Sequence, residues 1–231
     1  VLQGHFVSKE AEYQKFCQID ILENDRLGMI RRLQSYTERL THIQFCTQVE
    51  DIIKVGIARY KDKYFSGRIV DGPFVLYEKY SRRDVSLLMN CGKDLSSIMY
   101  GMKRIGDDVF IFITYHKEES QDEKNYVEGK PDYADAFEDD LIFKWDSQIG
   151  KGLDSSYMKD VLEAERKHLF VKKSDAETSF YYMGQFDVLE ARNAQKEDNH
   201  GRMQPITKVT MKMHRAVRED LLRYLQSHIT A

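Results

Sequence analysis

Residues 141–148 read Leu-Ile-Phe-Lys-Trp-Asp-Ser-Gln, and they include the only tryptophan of the 231-residue chain. Side chains alternate across a strand, so Leu141, Phe143 and Trp145 share one face and Ser147 continues it. A strand that carries a large aromatic and then a hydroxyl and an amide has two readings. It is the floor of a pocket that hydrogen-bonds a planar ligand, or it is a core strand running into a turn. Both readings require a sheet, and the neighbouring segments supply one.

Upstream, Val109–Tyr115 (VFIFITY) is β-branched and aromatic enough for a central strand. Ser96–Lys103 reads as the strand before it, with Arg104–Asp108 as the turn. Between these strands and residue 141 lies an acidic stretch, Glu118–Asp140, opposed only by Lys124 and Lys130. Its first half reads as a mobile loop. Tyr133–Phe137 reads as a helical turn that returns the chain to Leu141. Downstream, Ser155–Ala164 is helical by composition. Lys167–Lys172 and Phe180–Met183 are strands joined by a polar turn at Ser174–Thr178, and Phe186–Leu189 continues or follows that hairpin. Ala191–Gly201 reads as a polar loop and Val209–Met213 as the last strand. Val217–His228 is a final helix with Val217, Leu221, Leu222 and Leu225 inward. Short strands flanked by a few helices predict an α+β domain whose sheet curls toward a barrel.

The N-terminal third has a different period. Residues from about 8 to 60 read as helical, with short, mixed apolar spacing around Tyr13, Phe16, Cys17, Ile19 and Ile21. From Leu27 through Ile30, Leu33, Tyr36 and Leu40 the steps of three and four predict an amphipathic helix, capped by Asn24 or Asp25. A second helix is expected over Thr47–Tyr60, with Val49, Ile52, Ile53 and Ile57 on one face. Tyr64–Gly67 and Asp71-Gly72-Pro73 punctuate the chain. The expected division is a helical linker or annex over 1–72 and an α+β domain over 73–231. Phe74–Tyr77 opens the latter, followed by a helix Asp84–Met89 with Ser81 as N-cap and Asp84 as capping-box acid.

Composition narrows the function classes. No apolar run approaches the roughly 20 residues that span a bilayer, and VLQGHFVSKE lacks the charged and apolar regions of a signal peptide. The chain reads as cut from a longer cytoplasmic polypeptide. Cys17, Cys46 and Cys91 lack metal-ligand spacing and are expected as buried, reduced thiols. His42, His116, His168, His200 and His214 show no zinc spacing with them. A net charge of −3 leaves nucleic-acid binding to local patches. The candidates are Lys79/Arg82/Arg83, Lys103/Arg104 and Arg166/Lys167/Lys172/Lys173, each of which also reads as solvated surface.

The segments FVLYEKYSRRDV (74–85), VFIFITYHK (109–117), YADAFEDDLIFKWDSQ (133–148), HLFVKK (168–173), FYYMG (180–184) and LLRYL (221–225) together resemble a known family. It is the C-terminal domain of unknown function found in bacterial DEAD/DEAH-type superfamily II helicases, often behind a phospholipase-D-like nuclease domain. The resemblance covers the last two-thirds of the chain. It implies that residues 1–72 follow a helicase core, which is itself absent: the chain has no Walker A loop and no DExH box. The family is similar in turn to the PUA/SRA-like β-barrels that read modified bases, whose members hold a flipped base in an aromatic-lined pocket. That is an analogy at the level of fold.

For a base reader, aromatic stacking and hydrogen bonds to the base edge must return the few kcal/mol spent on extrusion. Trp145, Tyr80 and Tyr115 can supply faces, Ser147, Gln148 and Asp146 edge contacts, and Arg82, Arg83 and Lys117 phosphate contacts. Tyr80-Ser81-Arg82 and Tyr115-His116-Lys117 share one design, an aromatic at a strand end followed by polar and basic groups. Each residue has a duller role. Trp145 is an ordinary core residue, a buried tyrosine needs a polar partner anywhere, and Ser147 and Gln148 can serve a turn backbone. An enzyme reading is weaker. Glu128-Gly129-Lys130 with Pro131-Asp132 has the residue types of a metal nuclease, but the acid follows Glu-x-Lys instead of preceding it. No metal or cofactor motif stands out. The expectation is a non-catalytic DNA-recognition domain of a bacterial helicase/nuclease in genome defence or repair, acting on modified or unpaired DNA. The alternative is a protein-interaction domain that docks on the helicase core and regulates it, for which the acidic stretch 118–140 is a candidate surface.

Overall fold

The computed structural model describes residues 22–24, 30–65, 67–116, 135–198 and 200–227. They fall into two compact units, one containing residues up to Val75 with Arg83–Leu95, the other Leu76–Arg82 with Ser96 onward.

The first unit opens with a short antiparallel pair, β1 (Leu22–Asn24) and β2 (Ile30–Arg32), in the register Leu22↔Arg32 and Asn24↔Ile30. Of the predicted Leu27–Leu40 helix, Ile30–Arg32 is strand and Gln34–Arg39 is helix, α1, while residues 27–29 lie outside the described residues. Pairing with β1 overrides the helical period at Ile30, and Leu33 is extended (φ −66°, ψ 148°) where the helix starts. Asn24 is a strand residue and caps nothing; Asp25 and residues 8–21 lie outside the described residues. The second predicted helix is longer than its periodic core, α2 (Ile43–Phe65). A hairpin of β3 (Val70–Asp71) and β4 (Phe74–Val75) follows, its turn made by Gly72 at φ 60° and Pro73.

The second unit is built on one open sheet. Its strands are β5 (Lys79–Tyr80), β6 (Met102–Ile105), β7 (Asp108–His116), β8 (Ala136–Phe137), β9 (Ile142–Asp146), β10 (Arg166–Ser174), β11 (Phe180–Glu197) and β12 (Met203–Met213). The order is β6-β7-β10-β11-β12-β9-β8, with β5 paired to the start of β11. Among the described residues, only β7 and β10 run parallel. This is the α+β class read from the sequence, with the sheet left open and no closed barrel among the described residues. The two halves of the sheet are joined by β11. Its first residues pair with β10 and β5, and from Phe186 onward it pairs with β12. Gly184, at φ 104°, sits at that handover beside a register shift in β10.

Both faces of β7 are covered, which is why VFIFITY has no polar alternation. One face joins the main core of Val109, Ile111, Phe143, Trp145, Leu169, Val209 and Met211. Two helices close it: α4 (Ser156–Glu163) through Met158 and Val161, and α5 (Glu219–Gln226) through Leu221 and Leu225. Ser155 caps α4 by accepting from the Met158 backbone N–H at 3.3 Å. The opposite face stacks Phe110, Phe112, Phe170, Phe180, Tyr182 and Tyr80. A polar chain runs from the exposed Arg166 into that aromatic layer. Arg166 pairs bidentately with Asp108 (2.7 Å twice), Asp108 takes His168 Nε2 at 2.8 Å, and His168 Nδ1 meets the Tyr182 hydroxyl at 2.9 Å.

Four further expectations are corrected. Ser96–Ile98 is a 3-10 turn and the strand starts only at Met102, because Gly101 adopts φ 72°. Ala136–Phe137 is a strand paired with Lys144 and Phe143, not a helical turn. Ala191–Gly201 is not a loop up to Glu197: it extends β11, antiparallel to Met203–Val209. Most of that ribbon's side chains are exposed, so no alternation marked it. The thiols of Cys46 and Cys91 are half-buried rather than buried. The acidic segment is described only from Asp135 on, so Glu128, Lys130 and Asp132 lie outside the described residues. No helix among the described residues is long and apolar enough to cross a membrane.

Candidate nucleic-acid interface

The strand Ile142–Asp146 delivers its residues to different places. Trp145 is 3% exposed and packs in the main core, its ring 6.3 Å from that of Tyr157. Asp146 points the other way, where it pairs with Lys208 at 3.0 Å. A shallow groove of about 430 Å³ runs there, past Lys144, Arg192 and Lys208. Ser147 is buried and ties the strand end. Its hydroxyl donates to the Lys151 carbonyl at 2.6 Å and accepts from the Thr207 N–H at 2.8 Å. Gln148, one residue on, is exposed, and its amide reaches the Tyr100 carbonyl at 3.4 Å.

The other candidate aromatics are also core residues. Tyr80 is 1% exposed and edge-on to Phe170, and Tyr115 belongs to the main core. Burial pushes the Tyr115 phenol pKa up, and hydrogen bonds with the Phe137 backbone and the Gln226 side chain offset part of the rise. The predicted pocket of Tyr80, Tyr115 and Trp145 is therefore not gathered in this structure. Ser81 stands immediately before α3 (Arg82–Leu88), and Asp84 lies in the helix's first turn. Arg83 belongs to the first unit, where it pairs with Asp94 at 3.5 Å. Lys117 lies outside the described residues.

The predicted basic patches are largely neutralised. Lys79 pairs with Glu177 (2.6 Å), Arg104 with Asp160 (3.4 Å), Arg166 with Asp108 (2.7 Å) and Lys172 with Asp175 (3.2 Å). Arg82 has no carboxylate partner among the described residues. Its guanidinium lies on aromatic rings instead, 4.6 Å from Tyr100, 5.1 Å from Phe180 and 5.7 Å from Phe112. Partial burial lowers its pKa and the nearby Tyr100 raises it, with a net lowering.

Arg82 and Gln148 thus both contact one residue that sequence reasoning missed, Tyr100, the first at its ring and the second at its backbone carbonyl. It is 63% exposed and leads into the positive-φ Gly101. A Cβ on Gly101 would stand 2.5 Å from Gln148 Nε2 and 3.2 Å from the Tyr157 hydroxyl, so only glycine allows this approach. Tyr157, on the first turn of α4, has Lys151 5.8 Å from its ring centre. Burial and the Asp135 charge push its phenol pKa well up. Ile98 and Ile149, both exposed, belong to the two loops that Gln148 joins. The arrangement is an exposed aromatic ring, a cation without a carboxylate partner among the described residues lying on it, and an exposed amide bonded to the backbone carbonyl of the same residue. These are the parts of a surface that stacks a planar group and holds an anion. The only signal for Tyr100 in the sequence is a Tyr-Gly pair before a strand, which is common. Among the described residues, no cluster of three His, Cys, Asp or Glu side chains is placed to hold a metal ion.

A model of the domain of unknown function DUF3427 matches residues 74–225. No curated protein matches. Among solved structures, the chain is similar to the MspJI restriction endonuclease in complex with a 27-mer oligonucleotide, at 11% identity and a TM-score of 0.33, over 54% of this chain and 40% of that one. It is similar to Arabidopsis thaliana SUVH6 in complex with SAM, at 12% identity and a TM-score of 0.38, over 74% and 32%. It is also similar to KRYPTONITE in complex with mCHH DNA, an H3 peptide and SAH, at 12% identity and a TM-score of 0.39, over 78% and 39%. The chain spans less than half the length of each.

Proposed function

The chain belongs to the DUF3427 family, and from that footing we propose that it is a non-catalytic DNA-recognition domain, part of a bacterial helicase or nuclease polypeptide of a genome-defence or repair type. It selects the DNA, modified or unpaired, on which the helicase core of the same polypeptide acts. Arg82 takes a backbone phosphate, Tyr100 stacks a base, and Gln148 meets the base edge. The observation that carries the reading is the Arg82 guanidinium, which lies 4.6 Å from an exposed tyrosine ring with no carboxylate partner among the described residues. A phosphate would supply the missing charge, and a base would cover the exposed ring.

The test is fluorescence anisotropy of this chain with single-stranded, duplex and base-modified duplex oligonucleotides over a salt series. Binding that prefers one of these and weakens about five- to 150-fold in Tyr100→Ala supports the reading, since a base–aromatic stack is worth about 1–3 kcal/mol. No binding to any of them at low salt overturns it. A second reading, a module that docks on the helicase core, is favoured by α2, where Ile43, Ile52, Ile53 and Ile57 are all exposed. It becomes the one to pursue if the oligonucleotides do not bind.

A further inference from the structure

Buried polar atoms in folded proteins nearly always have hydrogen-bond partners, so an orphan marks a site worth explaining. Among the described residues, the buried side-chain polar atoms without a partner are Arg82 Nε and the Tyr157 hydroxyl. They belong to separate elements, the start of α3 and the first turn of α4. Both nevertheless face the same Tyr100–Gly101 turn: Arg82 through the Tyr100 ring, Tyr157 at 3.2 Å from where a Gly101 Cβ would be. Two unused donors at one turn call for a ligand rich in acceptors.

Gln148 approaches the same Gly101 position as the second of them. Its carboxamide nitrogen lies over Gly101, held by a long 3.4 Å bond to the Tyr100 carbonyl, on an exposed side chain. A rotamer change at Gln148 gives up only that bond and frees the space over Gly101, next to which the Tyr157 hydroxyl lies. We propose that Tyr157 is a specificity-determining residue, whose hydroxyl donates to an acceptor on the edge of the nucleobase that stacks on Tyr100. This rests on the DNA-recognition reading. Gln148 pairs with the same edge once it has moved, and Gly101 keeps the approach open because it has no Cβ.

Tyr157→Phe separates this role from a structural one. The hydroxyl makes no hydrogen bond with the described residues, so its removal leaves the thermal midpoint unchanged or higher. Affinity for the preferred oligonucleotide falls roughly three- to tenfold, and preference among the four bases at the bound position flattens. Binding to the same oligonucleotide with an abasic site there is unchanged by the substitution. Wild-type binding with an unchanged Tyr157→Phe profile overturns the Tyr157 assignment alone. A lowered midpoint with unchanged binding overturns it too, since the hydroxyl is then structural. A wild-type chain that binds no oligonucleotide overturns the DNA reading and this inference with it.

Discussion

Trp145→Ala removes the largest side chain of the central stretch and separates its two sequence readings. The side chain is 3% exposed and packs with Phe143, Val209, Met158 and the partly buried Tyr157. Truncating a buried tryptophan costs about 3–5 kcal/mol, the transfer term plus the cavity left in a close-packed core. Against the roughly 5–15 kcal/mol that stabilises a domain, the loss is severe. For a unit of this size about 2–4 °C is lost per kcal/mol, so the midpoint falls by about 6–20 °C. Thermal melts followed by far-UV circular dichroism measure the change in midpoint, and urea melts the change in free energy. The wild-type chain carries its own probe: Trp145 is its only tryptophan, so its emission should be blue-shifted when folded and shift red on unfolding. Trp145→Phe, which keeps most of the packing, should recover more than half of the loss. A Trp145→Ala chain with unaltered stability and lost oligonucleotide binding would refute the core assignment and restore the residue to a ligand pocket.

Ser147→Ala should cost about 1–3 kcal/mol, because the buried Thr207 N–H loses its acceptor, and should leave oligonucleotide affinity unchanged; a loss of affinity without destabilisation would count against the structural role. Gly101→Ala forces an L side chain to φ 72° and should cost about 1–2 kcal/mol, read as a midpoint lower by roughly 2–8 °C; an unchanged midpoint would contradict the turn geometry. Burial raises the pKa values of Asp108 and Glu177, but Arg166 and His168 on the first, and Lys79, Lys173 and Tyr224 on the second, leave both below the usual carboxylate range. Depressed carboxylates stabilise the fold above their unfolded pKa of about 4, and that contribution is lost as pH falls through the lower folded value. Thermal midpoints should therefore hold from pH 7 to about 5 and drop below about 4, less steeply in Glu177→Gln; a midpoint that rises on acidification would contradict this.

Legibility in the sequence followed the covering of each strand. Ile142–Asp146 and Asp108–His116 were readable because one carries a clean alternation and the other is buried on both faces. The second half of β11 was not, since Arg192 to Glu197 face mostly solvent and only cross-strand pairing makes them a strand. The helical period at Leu27–Leu40 was overridden by a strand pair whose partner, Leu22–Asn24, carries no pattern of its own. At the candidate site, the sequence supplied Arg82 and Gln148 but joined them to aromatics that the sheet buries. Their common neighbour, Tyr100, is separated from Gln148 by 48 residues, and no local spacing links the two. Tyr157 was hidden within a helix legible for its apolar face alone.

The most direct measurement is the salt dependence of oligonucleotide binding for wild type and Arg82→Gln, with circular dichroism confirming the fold. Each phosphate contact adds about 0.9 to the slope of log affinity against log salt on duplex DNA and about 0.7 on single strands. If Arg82 holds a phosphate over Tyr100, Arg82→Gln should bind more weakly with a slope smaller by about that one contact. Equal slopes and equal affinities for the two proteins would contradict it.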